Sequence, residues 1–124
     1  MGKTKRQQGV TQALQAQVPF VPYSDALEIR RKANQPHLRK LPGHIAVFLA
    51  VTSYVRHQYT DYDQLLDTGL DRDAARYCVA ADMETVIADW GGRITAEELL
   101  ATSQQSGEQD QSILSTNTND PDKG

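Results

Sequence analysis

Six residues that can do chemistry crowd into the span from Arg56 to Asp63: Arg56, His57, Thr60, Asp61, Tyr62 and Asp63. An imidazole beside a carboxylate is the pairing a general base requires, because the carboxylate orients the ring and stabilises its charged form. His57 with Asp61 and Asp63 is therefore the candidate catalytic set of a small hydrolase or nuclease. Arg56, with Arg72 and Arg76 further along, could grip a phosphate or carboxylate. The same residues also make a structural corner. Thr60 and Asp63 are spaced as a capping box, with Asp in place of Glu or Gln. Asp61 then pairs with Arg56 or Arg76, and Tyr62 fills the gap, since buried charges need partners. Capping explains most of the cluster unaided, so the structural reading is favoured. A metal centre from His57, Asp61 and Asp63 would be oxygen-rich with one imidazole, and its spacing matches no zinc or calcium pattern. No metal or cofactor is expected. Nucleophile motifs, a phosphate loop and a dinucleotide fingerprint are absent.

A second candidate site is basic. Arg30, Arg31 and Lys32 are followed by Arg39 and Lys40. Cations are favoured at a helix C-terminus, which accounts for the triplet; a phosphate-contacting patch is the sharper alternative. The net charge is −3, but its distribution matters more. Residues 1–40 carry Lys3, Lys5, Arg6 and these five cations against Asp25 and Glu28. The centre then carries Asp61, Asp63, Asp67, Asp71, Asp73, Asp82, Glu84 and Asp89 against three arginines. A basic front and an acidic body allow one polyanion-facing surface at most. Tyr54, Tyr59 and Tyr62 could stack on bases but match no RNA-binding motif. Trp90 reads as a core anchor.

Helices must position both sets. Residues 1–18 are polar and Lys/Gln-rich, with Val10, Leu14 and Val18 at four-residue spacing; a flexible basic segment is expected there. Pro19 and Pro22 force an extended entry. Ser24 is the expected N-cap of a helix running to Ala33, with Asp25 and Glu28 favouring its dipole and Ala26, Leu27, Ile29 and Ala33 buried. Pro42 opens the next helix. From His44 to Tyr54 nearly every residue is apolar or small, the mark of a central buried helix, with a strand as the competing reading because of Val51, Thr52 and Val55. A short helix from Asp61 to Leu66 follows, closed at Gly69. Asp71 then caps a long helix with Ala75, Val79, Met83, Val86 and Trp90 as its inner stripe. Gly91-Gly92 ends it, and Thr95 with Glu98 caps one more short helix.

One domain is expected, with an all-α fold: a small bundle of four to five helices over residues 19–101 and disordered termini, the tail 102–124 being too polar to offset its ordering entropy. The single cysteine, Cys78, precludes an intramolecular disulfide; within an apolar helical pattern it reads as a small hydrophobe in a reducing compartment. The longest near-apolar run, Ile45 to Val55, is about 11 residues, short of the roughly 20 needed to span a bilayer. No apolar leader is visible. A cytoplasmic protein without membrane contact is the expectation.

From Ala50 to Trp90 the chain resembles a family of uncharacterised bacterial and fungal domains. Its marks are an apolar helix entering R-H-x-x-T-D-Y-D-x-L-L, then a glycine, then a helix that starts D-R-x-x-A-R and ends at a tryptophan. Here these are Arg56, His57, Thr60, Asp61, Tyr62, Asp63, Leu65, Leu66, Gly69, Asp71, Arg72, Ala75, Arg76 and Trp90. The resemblance covers roughly Pro19 to Gly92. It implies an intact domain that includes the polar corner, and it carries no reaction or ligand. The expected function is a non-enzymatic binding module that contacts nucleic acid or an acidic protein partner through the basic front and the exposed part of the corner. The His57-centred hydrolase and a homo-oligomeric interaction protein are the alternatives.

Overall fold

A computed structural model describes residues 4–101 of the protein. It consists of α1 (Lys5–Gln17), α2 (Tyr23–Ala33), α3 (Gly43–Tyr59), α4 (Tyr62–Asp67) and α5 (Arg72–Asp89), with a last helix, α6, at 96–101. There is no strand among the described residues. The expected tail 102–124 lies outside them.

The apolar run is the hub. Ala46, Val47, Ala50, Val51, Thr52, Tyr54, Val55 and Arg56 of α3 are all buried. A helix hidden around its circumference needs neighbours on every side; α1, α2, α4 and α5 each touch it. At 1.5 Å per residue, its 17 residues hold its ends about 25 Å apart. The β-branched residues do not make a strand. Their propensity deficit is a few tenths of a kcal/mol each, small beside the roughly 1.5 kcal/mol or more from burying each side chain.

The expected flexible segment 1–18 is instead largely helix. Thr4 and Gln7 close a reciprocal capping box, each backbone N–H donating to the other's side chain at 3.0 Å. Val10, Ala13, Leu14 and Val18 are buried in the core. A polar average conceals these few anchors, which suffice because α3 offers them an apolar side. The approach is close: a Cβ on Gly43 would sit 3.2 Å from the backbone of Gly9. The packed domain therefore takes in α1 and does not begin at residue 19.

Smaller departures share one cause, the choice of face. α2 begins at Tyr23 with Pro22 at its N-cap, and Ser24 lies inside it. That register turns Asp25, Ile29 and Ala33 inward and leaves Leu27 partly exposed. On α5, Ala75, Val79, Met83 and Trp90 are buried as expected, while Ile87 takes the place given to Val86. Cys78 is exposed, not a core residue. Asp71 caps α5 by accepting from Ala74 N–H at 2.8 Å, and left-handed Gly69 and Gly91 close α4 and α5. The Thr95–Glu98 box opens α6.

Truncating Leu14 to Ala removes a buried α1 anchor. Urea denaturation should show a loss of about 2–5 kcal/mol; a change near zero would mean that α1 does not belong to the cooperative unit.

Candidate functional site

Three places hold side chains capable of more than packing: the corner after α3, the basic end, and a buried carboxylate on α2.

At the corner, α3 runs on through Arg56 and His57 to Tyr59 before the chain turns. The structure brings His57 and Asp63 together, with Nδ1 to Oδ1 at 2.8 Å. His57 also meets the Tyr62 ring edge-on, centroids 5.4 Å apart. Arg56 is buried, its guanidinium 5.5 Å from the centre of the Tyr62 ring. Arg76 on α5 is buried as well, and both arginines are partnered. The expected Thr60–Asp63 capping box is not formed. Thr60 Oγ1 donates to Arg56 O at 2.5 Å and accepts from Tyr62 N–H at 3.2 Å. Asp61 holds the N-cap position of α4 without a side-chain capping bond and is exposed. The Asp63 side chain, one methylene shorter than that of Glu, turns to His57 instead of back to the cap. Arg72 is the first residue of α5 and half-buried. Corner and dyad thus coexist: Thr60, Tyr62 and Arg56 build the turn, and His57 with Asp63 sits outside it, more than a third exposed on each side. A carboxylate-oriented imidazole can move a proton. No group of three His, Cys, Asp or Glu capable of holding a metal ion occurs among the described residues.

The basic end was scattered in sequence and is gathered by Arg6. Its guanidinium donates to Ala33 O and Leu38 O, each at 3.1 Å, and to Leu41 O. Ala33 ends α2, where carbonyls lack helical partners. One arginine thereby ties the start of α1 to the end of α2 and to the connection 34–42. Lys5 precedes Arg6 at the start of α1 and so stands at the same end as exposed Arg39 and Lys40, with Arg30 and Lys32 half-buried on α2. Arg31 pairs with Glu28 at 2.7 Å; an exposed pair of this kind is worth at most about 1 kcal/mol and does not lock the arginine away. The basic end lies at the Gly43 end of α3 and the corner at its Tyr59 end, so they do not form one continuous patch.

The third place was missed in sequence. Asp25 is buried and accepts from Tyr54 Oη at 2.5 Å and from Tyr59 Oη at 3.0 and 3.1 Å. A desolvated carboxylate costs several kcal/mol unless it is satisfied; two phenols and its place in the first turn of α2 provide that. Burial first, then the bonds to Asp25, push both phenol pKa values up from their ordinary value, Tyr54 furthest. Tyr59 also rests edge-on against Trp90, centroids 5.6 Å apart. The readable signal was that Asp25 stands four residues before Ile29 and eight before Ala33, on an inner stripe.

A cleft of about 540 Å³ opens elsewhere, lined by residues including Phe48, Ile94, Arg93 and Glu98. None of the residues expected to be functional lines it. No helix among the described residues is long and apolar enough to cross a membrane.

Replacing Tyr54 with Phe removes a hydrogen bond to a charged acceptor and should cost about 1.5–3 kcal/mol. It should also change the alkaline limb. Above pH about 10 the unfolded chain releases its tyrosine protons before the folded one, so stability is whole below that pH and falls above it. Denaturation at pH 8 to 11 should give a shallower fall for Tyr54→Phe than for the wild type; equal slopes would deny the Asp25–Tyr54 bond.

Neither a curated protein nor a solved structure matches the chain. A family model does, over residues 13–91, from within α1 to the turn that closes α5. That is well over half of the 124 residues, and the chain accordingly belongs to the uncharacterised conserved proteins of the DUF2293 family.

Proposed function

We propose that the protein is a non-enzymatic helical module that binds nucleic acid through its basic end. The observation that carries this reading is the Arg6 tie, which pools Lys5, Arg39 and Lys40 with the cations of α2. Neighbouring cations release counterions together when they meet a phosphate chain, and this term supplies most non-specific affinity. Exposed Asp61 and Asp63 follow the Tyr59 end of α3, away from this basic end, so a polyanion meets cations at one end and is repelled by carboxylates at the corner. The corner, characteristic of the resembling bacterial and fungal domains, holds α3 to α4 in this reading. Its inward arginines are spent on packing and its exposed groups include Asp61 and Asp63, which do not suit a phosphate surface.

Binding to a labelled oligonucleotide should weaken steeply with salt. Substituting Arg39 and Lys40 together by Ala should lower the slope of log K against log salt by about 1.4–1.8. His57→Ala should leave both affinity and slope unchanged. Tighter binding to a polyglutamate chain than to nucleic acid would replace this reading with an acidic protein partner. The His57–Asp63 contact at 2.8 Å supports a second reading, a nuclease. The same incubation tests it: an oligonucleotide cleaved by the wild type and left intact by His57→Ala would favour that reading.

A further inference from the structure

The surface that continues from the basic end is unusual for its rings. Phe20 is 73 % exposed and Tyr23 is 74 % exposed. Large apolar side chains this open, close together in sequence, mark a contact surface more often than a folding need. Both sit at the start of α2, opposite its basic end. Phe20 is fixed there by its N–H, which donates to Trp90 O at 2.9 Å, and by packing against Gly91. Tyr59, 45 % exposed, flanks the same tryptophan and is anchored to α2 through Asp25. Phe20 and Tyr59 therefore flank one held tryptophan, and Tyr23 stands open three residues beyond Phe20.

From Tyr23 the outward stripe of α2 proceeds at helical spacing through Leu27 to Arg30, with Arg31 alongside, and continues into the loop that carries Arg39 and Lys40. Both carboxylates of α2 are held by neighbours. Asp25 faces inward to its tyrosines, and Glu28 holds Arg31. The face thus runs from open rings to cations over about 16 Å, the length of an 11-residue helix.

Rings followed by cations suit a single strand. Bases in a duplex are stacked on each other and offer no open face to a flat ring, whereas an unpaired strand offers a base to every ring and a phosphate to every cation. We propose that α2 tracks a single-stranded nucleic acid, with Phe20, Tyr23 and Tyr59 stacking on bases and Arg30, Arg31, Arg39 and Lys40 holding the phosphates. This rests on the nucleic-acid reading above and specifies its substrate class.

The test is fluorescence anisotropy with a labelled strand of about twelve nucleotides, within the usual site size for such proteins, set against the duplex of the same sequence. The single strand should bind more tightly. Phe20→Ala with Tyr23→Ala should weaken it at least tenfold while leaving duplex binding and the melting temperature unchanged. Tyr23→Trp, which keeps a stacking face, should restore binding to the Phe20-intact protein. If the duplex binds as tightly, or the ring variants bind the single strand like wild type while Arg39→Ala with Lys40→Ala weakens it, the single-strand assignment is overturned and the polyanion reading stands. If neither form binds at low salt, both fall.

Discussion

The hydroxyl of Tyr54 is the constraint around which this domain is arranged. It sits in the middle helix, buried on all sides, where a polar atom without a partner would cost about 1–3 kcal/mol. Asp25 supplies the partner and is itself satisfied in return, with Tyr59 as second donor. The exchange fixes how α2 lies on α3. Once α2 is placed, Ile29 and Ala33 fall inward and its ring-and-cation stripe falls outward. The exposed face of α2 is in this sense a consequence of a buried bond.

A similar device works at the opposite end. Arg6 spends its hydrogen bonds on three carbonyls of α2 and the following loop, which makes α1 part of the domain and carries Lys5 to Arg39 and Lys40. Structure and charge distribution are built by the same residue. The outcome is a molecule with cations at the Gly43 end of the central helix and the exposed carboxylates of Asp61 and Asp63 beyond its Tyr59 end. The cations supply the long-range attraction, while stacking on the rings at the start of α2 needs no charge.

The central helix, the Gly69 and Gly91-Gly92 stops, the Asp71 cap and the Thr95–Glu98 box were all legible in sequence, because each is a local signal with a fixed spacing. The pairing of His57 with Asp63 was legible as one of two options. What escaped were charged residues that begin an apolar stripe. Arg6 precedes Val10 and Leu14 by four and eight; Asp25 precedes Ile29 and Ala33 in the same way. From sequence alone Asp25 reads as a first-turn charge that favours the helix dipole and Arg6 as part of a flexible basic segment, since charged side chains are rarely buried. The partners that make burial tolerable come from other helices, at separations of 27 and more residues, and no local pattern announces them. The dismissal of α1 as flexible has the same origin. Its composition is polar, and the apolar side that holds it belongs to α3. Thr60 and Asp63 erred in the other direction: a capping spacing was present, but His57 competed for the carboxylate and took it.

The account places the binding surface along α2, from its aromatic start to the basic loop that Arg6 ties down, and assigns the His57 corner to folding. Backbone amide chemical shifts, followed while a single-stranded oligonucleotide is titrated into the labelled protein, test this most directly. The amides of residues 5–8, 20–23 and 37–41 should move, and those of 61–63 should stay where they are. Movement concentrated at 61–63, with the basic loop and the start of α2 unchanged, would contradict it.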